Sequence, residues 1–252
     1  MDAVNRQIEG GGVTEAQWAA SPWLQTLPLA SPVALFGGAR RLVVVSPHPD
    51  DEVLACGGLM ALAHQAGLAI TVISVTDGEA CYPDQPAWSP ERLRVARAAE
   101  LDHALHSLGL ASAARISWHI GDGAVTASEV GIAEQLAAVL EPGDLVLAPW
   151  RFDGHPDHEA VARACMQAAT ARGVALKEYP VWGWHWLDPQ AAPTAWATAT
   201  RVALDDALVE RKRGAIQQFV TQTGAVDGLD CEPILPAAVL QRFERNYEVL
   251  IG

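Results

Sequence analysis

The stretch 42–58, LVVVSPHPDDEVLACGG, constrains the fold of this chain more than any other. Its first four residues are apolar and suit a short, buried parallel strand, which ends at a Ser-Pro pair. Side chains that can bind a metal ion or move a proton follow at once, namely His48, Asp50, Asp51 and Glu52. A helical pattern then begins at residue 53. Polar groups between a buried strand and a helix lie at the carboxyl edge of a sheet, where open α/β folds bind their ligands.

Strand and helix patterns alternate from residue 41 onward. We predict strands over 42–46, 69–76, 114–119, 144–149, 174–181, 196–203 and 246–251. We predict helices over 52–66, 89–109, 126–140, 156–172 and 205–220. This alternation indicates βαβ units in one α/β domain, with a mostly parallel sheet flanked by helices.

Residues 1–40 are predicted to form a lead-in that precedes the domain at 41–252. Thr14 and Gln17 fit the T-x-x-Q capping box, so we expect a short helix over 14–20. The following stretch, 21–38, is rich in Pro and Gly and is predicted to be an irregular connector.

The formal net charge of −13 makes nucleic acid and anionic membrane surfaces improbable partners, because an acidic surface repels phosphate. No apolar run approaches the ~18 residues of a membrane span, and the first 30 residues contain no secretory signal pattern. We therefore expect a cytoplasmic protein, and a homo-oligomer is one candidate for its oligomeric state. The scattered cysteines are expected to be reduced, mostly core thiols: Cys56, Cys81, Cys165 and Cys231.

A second polar cluster follows the predicted strand 144–149 and opens the next helix. It contains Asp153, His155, Asp157 and His158. Two strands of one parallel sheet therefore deliver polar side chains to the same edge. The set His48, Asp51 and His158 matches a catalytic zinc site, in which two imidazoles and a carboxylate leave a position open for water. The same ligands would accept Fe²⁺ or Co²⁺.

A hydrolytic site also needs a base and a group that stabilises negative charge. Asp50 is our candidate base, and His155 is the candidate for oxyanion stabilisation or for protonation of the leaving amine. Asp157 is the candidate partner that orients an imidazole. The competing interpretation is that the acidic run after residue 49 only complements a helix dipole. The presence of two separate clusters argues against this interpretation.

The two motifs, His48-Pro49-Asp50-Asp51-Glu52 and His155-Pro156-Asp157-His158, resemble those of the PIG-L (LmbE-like) family of zinc-dependent N-deacetylases. Shorter segments that support the resemblance are Thr76-Asp77-Gly78-Glu79, Arg97-x-x-Glu100, Gly121-Asp122-Gly123 and Lys212…Gln222. The resemblance implies a Rossmann-like fold that hydrolyses the N-acetyl group of an amino sugar or its conjugate. It also implies zinc at His48, Asp51 and His158, a general base at Asp50 and an electrophilic or acid role for His155.

The resemblance further places Arg97 and Asp122 near the sugar hydroxyls. Arg97 is equally compatible with a helix surface, paired with Glu100 or Glu91, and Asp122 with a plain turn. Some family members have a tyrosine two residues before the second motif, where this chain has Asp153. An ionised carboxylate cannot stabilise an oxyanion, so either His155 acts alone or another donor enters from elsewhere. The candidates are Tyr82 and Tyr179.

Two further stretches are candidates for substrate contact. Residues 179–186 contain alternating tryptophans, and Trp184 is the one that we expect to contact substrate; the alternative is one face of a core strand. The polar loop 80–90 either shapes the substrate site or is a surface connection.

We therefore predict a zinc-dependent deacetylase of a small amino-sugar conjugate. One alternative is a zinc amidase that acts on a non-sugar metabolite or an acylated peptide antibiotic. The other is a non-catalytic sugar-binding protein on the same fold, which the presence of Asp50 beside the metal ligands argues against.

Overall fold

The computed structural model describes residue 8 and the ranges 10–224, 226–229 and 231–252. The strands are β1 Arg41–Ser46, β2 Ala69–Thr76, β3 Ala114–Ile120, β4 Asp144–Pro149, β5 Ala175–Tyr179, β6 Thr200–Ala203 and β7 Tyr247–Leu250. The longer helices are α4 Asp51–Gln65, α5 Pro90–Ser107, α6 Val125–Val139, α7 Pro156–Arg172 and α10 Asp206–Ile216. The short helices are α1 Glu15–Ala19, α2 Pro22–Thr26, α3 Pro32–Phe36, α8 Gly183–Trp186, α9 Ala192–Ala195, α11 Val220–Thr223 and α12 Ala237–Leu240, which a 3₁₀ turn Gln241–Phe243 follows.

Five strands form a parallel sheet in the order β3-β2-β1-β4-β5. The predicted α/β fold with a mostly parallel sheet is therefore confirmed. The chain turns outward in both directions from the central pair β1 and β4, so that pair is the switch point at which open α/β sheets bind ligands.

The central strand β1 is buried on both faces, as its apolar run predicts. Leu42 and Val44 pack into the cluster under α4 and α5, whereas Val43 and Val45 pack into the cluster under α6 and α7. Because successive strand residues face opposite sides, one valine-rich strand anchors both helical layers. The carboxyl end of β1 is thereby fixed.

The last two predicted strands do not join the main sheet. β6 and β7 pair with each other in an antiparallel ribbon, and a single bridge between Glu178 and Ile251 connects the ribbon to β5. The prediction of a strand over 196–203 was too long, because helix α9 and the turn after it occupy the residues before Thr200.

The prediction of an irregular connector over 21–38 was wrong. Two short helices occupy it, and each begins with a Ser-Pro pair whose serine oxygen accepts a backbone N–H: Leu24 N for Ser21 and Ala34 N for Ser31. A serine N-cap followed by proline is a recognised helix start, so the prolines begin helices here and do not exclude them.

The lead-in packs against the domain. Its Trp18 is 0% exposed; its ring stacks on Trp196 with centroids 5.5 Å apart, and its Nε1 donates to the Trp184 carbonyl at 2.8 Å. The Glu15 carboxylate pairs with Arg245 at 2.5 Å. The capping box of Thr14 and Gln17 is confirmed. A domain boundary at residue 40 stays a prediction.

Replacement of Trp18 by alanine is expected to lower the free energy of unfolding by about 3–5 kcal/mol, because it empties a fully enclosed indole site. The measurement is a denaturant titration followed by circular dichroism. Trp23→Ala is the matched control, since Trp23 is only partly buried and lies 6.2 Å from Trp196 between ring centroids. Equal effects of the two substitutions would contradict the assignment of Trp18 as the anchor.

Among the residues that the structure describes, none of the helices has the length and apolar character needed to cross a membrane. All four cysteines are free: Cys56 and Cys165 are buried, Cys81 is half-buried and Cys231 is exposed.

Candidate active site

The two polar motifs meet at the carboxyl ends of β1 and β4. They border a cavity of 310 Å³ that opens to solvent at this edge of the sheet. The cavity is lined by His48, Asp50, Asp51, Ala80, Cys81, Arg97, Asp122, Gly123, His155, Trp182, Gln222, Ile234 and Leu235. Segments that follow all five parallel strands, together with residues after α10, therefore contribute to one site.

The three predicted ligands lie together. One ligand atom from each of His48, Asp51 and His158 falls within 4.8 Å of the others. The Oδ2 of Asp51 lies 3.4 Å from Nδ1 of His48 and 3.3 Å from Nε2 of His158. That Nε2 is buried and makes no hydrogen bond, and its charged neighbour is the Asp51 carboxylate. Two imidazole nitrogens that converge on one carboxylate oxygen are a donor set that suits a divalent cation.

The electrostatics of this trio favour cation binding. Burial alone would raise the pKa of Asp51, but the neighbouring His158 and His48 outweigh it and hold that pKa well below its usual range. Burial alone would lower the pKa of His158, but Asp51 and Asp153 raise it to about 9. The carboxylates therefore draw positive charge to this point, and a metal ion would replace the imidazole protons.

Asp50 lies beside the trio and is held by Arg97. Its Oδ2 accepts from a guanidinium nitrogen of Arg97 at 2.9 Å, and both side chains are buried. Burial raises the pKa of Asp50 to about 7, although Arg97 acts in the opposite direction. A carboxylate with a pKa near neutrality suits proton transfer.

Arg97 is not on a helix surface, so that interpretation was wrong. The side chain is 2% exposed and also donates to the carbonyls of Gly78 and Pro49. A Cβ at Gly78 would lie 1.8 Å from the Arg97 guanidinium, so only glycine permits this approach. The burial of Arg97 thus depends on a residue 19 positions earlier in the chain.

Glu52 does not face the donor set. It is 0% exposed, and its carboxyl group accepts from Ser46 Oγ at 2.5 Å and from the Asp50 backbone N–H at 3.3 Å. Burial raises its pKa to about 8. Glu52 therefore braces the turn after β1.

His155 lines the cavity beside the trio, with its ring centroid 5.0 Å from that of His48 and 4.9 Å from that of His158. Burial, and then the two neighbouring imidazoles, lower its pKa to about 3. Its Nδ1 accepts the backbone N–H of Asp157 at 3.2 Å. An imidazole that is neutral and accepts at Nδ1 carries its proton on Nε2 and can donate from there.

The carboxylates of Asp122 and Asp157 both lie near His48. Asp122 Oδ1 is 3.1 Å and Asp157 Oδ2 is 3.5 Å from His48 Nε2. Asp122 also accepts the Ala80 backbone N–H at 3.0 Å, and Asp157 accepts that of Gly123 at 2.8 Å. Asp122 is thus more than a turn former: it makes the shorter contact with His48, and Asp157 makes the longer one.

Sequence reasoning missed the role of Asp153. This residue is 0% exposed, and its Oδ2 lies 2.8 Å from Nδ1 of His158. Its carboxylate also accepts the backbone N–H groups of Val181, Trp182 and Gly183 at 2.8–3.0 Å. A carboxylate on the far nitrogen of a histidine orients that ring. An acid five residues before a candidate ligand was the available signal.

Neither candidate tyrosine donates into the cavity. The hydroxyl of Tyr179 donates to the Val45 carbonyl, and that of Tyr82 donates to the Thr221 carbonyl, each at 2.7 Å. Both tyrosines therefore support the fold, and the alternative in which one of them donates to the oxyanion is wrong.

The Trp-rich stretch is not a strand, because β5 ends at Tyr179 and residues 183–186 are helical. Trp184 is 4% exposed and lies against Trp18, Trp196 and the Arg245 guanidinium, away from the cavity lining. The structure thus does not place Trp184 at the cavity; Trp182 is the tryptophan that lines it. Of the loop 80–90, Ala80 and Cys81 reach the cavity lining.

Comparison with known proteins gives a consistent result. The family model for GlcNAc-PI de-N-acetylase (PIG-L) matches residues 43–169. The 1D-myo-inositol 2-acetamido-2-deoxy-alpha-D-glucopyranoside deacetylase of Rhodococcus erythropolis is 30% identical over 72% of this chain and 67% of its own length. A probable N-acetyl-alpha-D-glucosaminyl L-malate deacetylase of Bacillus cereus is 27% identical over 52% of this chain and 61% of its own. The aligned part thus spans about two thirds or less of these relatives.

A solved structure shares the fold over a larger part of the chain. The A40926 pseudoaglycone deacetylase Dbv21 superposes with a TM-score of 0.59, covers 85% of this chain and 97% of its own, and is 23% identical.

Proposed function

The chain belongs to the PIG-L family, and on that premise we propose that it is a zinc-dependent enzyme that removes the N-acetyl group from an amino sugar or its conjugate. The observation that carries the proposal is the convergence of His48, Asp51 and His158 in an open cavity beside the buried Asp50. The relatives named above act, by their names, on N-acetylated sugar conjugates.

His48, Asp51 and His158 would hold the metal. Their fit is supported by the Nε2 of His158, which makes no hydrogen bond, and by the carboxylates on the far nitrogens, Asp153 for His158 and Asp122 for His48. When bound there, a zinc ion supplies a Lewis acid that acidifies water and polarises the amide carbonyl. The same donors would accept Fe²⁺ or Co²⁺.

Asp50 takes the proton of the attacking water in this proposal. Arg97 fixes one of its oxygens and compensates part of its charge, so the carboxylate is oriented before substrate arrives. The contacts that Arg97 makes to Gly78 and Pro49 place it behind Asp50, and we assign it to positioning of the base and not to the sugar hydroxyls.

His155 donates a hydrogen bond from its Nε2–H in this proposal. The backbone N–H of Asp157 engages Nδ1, so Nε2–H faces away from that contact and is available for the developing oxyanion. The proton that Asp50 has taken from water can pass to the leaving amine nitrogen, because a neutral imidazole is too weak an acid to supply it. His155 would fill the role that the tyrosine plays in some family members.

The test pairs elemental analysis with amine release from N-acetylglucosamine and a set of its glycosides. The proposal expects close to one zinc per chain and amine release that a chelator abolishes and zinc restores. Zinc without amine release from any N-acetylated sugar would move the proposal to non-sugar amides. A protein that takes up no metal would overturn it.

Asp153→Asn is expected to weaken zinc binding by about 10–100-fold, because the His158 ring loses its carboxylate partner. Competition with a chromophoric chelator measures this affinity. Asp84→Asn, an exposed carboxylate in loop 80–90, is the matched control and should leave the affinity unchanged. An Asp153→Asn protein with unaltered zinc affinity would remove Asp153 from this role.

A further inference from the structure

We propose that the substrate carries an uncharged, apolar group on the amino sugar, and that a wall of Trp182, Ile234 and Leu235 binds this aglycone. The inference rests on the proposed function and narrows its substrate class. It arises from the mixed lining of the cavity, in which these three apolar side chains accompany the carboxylates and imidazoles of the candidate metal site.

The apolar wall is held in place by buried contacts. The backbone N–H of Trp182 donates to Asp153 Oδ2 at 2.9 Å, and that of Leu235 donates to the Gln222 carbonyl at 2.9 Å. Ile234 is 37% exposed, and the Trp182 side chain is half-buried. Ile234 and Trp182 therefore present apolar surface that a ligand would remove from water, whereas Leu235 is only 3% exposed.

The charges of the lining exclude an anionic aglycone. Among the described residues that line the cavity, Asp50, Asp51 and Asp122 are acidic and Arg97 alone is a permanent cation. Three of the five N–H groups of Arg97 are bound to Asp50 and to two carbonyls, and its Nε–H is buried, so its charge is already paired with a carboxylate. A carboxylate or phosphate on the aglycone would therefore find no free cation.

Two further basic side chains, Arg94 on the same helix as Arg97 and Lys212 on α10, are also paired with carboxylates. Arg94 pairs with Asp77 at 2.8 Å and Glu79 at 3.4 Å, and it does not line the cavity. Lys212 is buried against Glu248 at 2.7 Å. The three carboxylates and the guanidinium of the lining have a formal charge of about −2. A divalent cation in the site would bring that charge to about zero. An anion would thus lose its hydration without a compensating partner.

The size of the cavity agrees with a compact substrate. At 310 Å³ it lies near the lower end of the about 300–1,000 Å³ typical of ligand sites. One pyranose ring with a small apolar substituent would fill it, and a longer aglycone would extend through the open side into solvent.

The experiment compares methyl, phenyl and malate-linked glycosides of N-acetylglucosamine with zinc-loaded protein. We expect kcat/KM for the phenyl glycoside to exceed that for the methyl glycoside by about tenfold or more, because added apolar contacts in a pocket typically raise kcat/KM by such a factor. The malate conjugate should be the poorest substrate. A malate conjugate that matches or exceeds the phenyl glycoside would overturn the proposal. So would a rate that rises with a longer N-acyl chain and ignores the aglycone.

Calorimetric binding separates this inference from the proposed reaction. Binding that favours the phenyl glycoside without amine release would overturn the reaction and support the wall. Amine release without any preference for the phenyl group would support the reaction and overturn the wall. Absence of both binding and amine release would overturn both.

A charge placed on the wall gives a second readout. Ile234→Lys should raise the ratio of malate to phenyl turnover by about two- to fivefold, the size of a partly exposed ion pair. Ile234→Gln controls for the lost apolar surface, and Val95→Lys places the same charge on α5, where Val95 is 73% exposed and outside the lining. A ratio that changes equally in Ile234→Lys and Val95→Lys would contradict the assignment.

Discussion

Replacement of Asp50 by asparagine is expected to lower kcat by about 10²–10⁴-fold, the usual contribution of a general base, while the zinc content stays near one per chain. The amide keeps the size and one acceptor oxygen for Arg97, but it cannot take a proton. The three proposed ligands are untouched. Elemental analysis and amine release, measured on the same preparation, test both halves of the prediction.

The substitution also leaves the buried Arg97 without a counter-charge, so its thermal unfolding must be measured alongside. Asp206→Asn, at an exposed position in the first turn of α10, is the control for loss of a carboxylate and should retain full activity. An Asp50→Asn protein that is folded, zinc-loaded and as active as the unchanged protein would remove Asp50 from the base role.

Replacement of His158 by alanine is expected to abolish zinc binding at micromolar metal. The loss of zinc affinity should exceed the about 10–100-fold expected when a residue that only orients a ligand is replaced, because here an atom that binds the metal is removed. Amine release should fall with it. Dialysis against zinc followed by elemental analysis measures the effect.

His106→Ala is the matched control, since His106 is exposed in the last turn of α5. His158 is 0% exposed, so circular dichroism must show that the variant keeps its fold. A folded His158→Ala protein that still binds stoichiometric zinc would remove His158 from the ligand set.

The parts of the site that the sequence predicts are those on which a local pattern acts. The apolar run before His48 and the one before the second motif each encode a buried strand, and parallel strands bring their carboxyl ends to one edge. The convergence of His48, Asp51 and His158 follows from that rule.

The parts that sequence reasoning missed depend on contacts between distant segments. Asp153 binds backbone groups of residues 181–183, which belong to the turn after a different strand. Arg97 is buried only because Gly78 allows its approach. The spacing of apolar residues along the sequence does not indicate either contact.

The interpretation of the Trp-rich stretch 179–186 was wrong for a different reason. Alternating tryptophans have the period of a strand, but the backbone leaves the sheet at Tyr179, and a short helix sends Trp184 into the core while Trp182 stays at the cavity. Strand period alone cannot indicate where a strand ends.

The packing of the lead-in has a kinetic consequence. Trp18 bonds to the Trp184 carbonyl across 166 positions, and Arg242 and Arg245 bond to Gly11 and Glu15 across 231 and 230 positions. Contacts of such separation raise the contact order of the chain, and we expect them to slow its folding. Trp184 follows Trp182 by two residues, so a chain whose lead-in has not yet packed would lack one of the contacts that hold the segment bearing Trp182, while its contact with Asp153 does not depend on the lead-in.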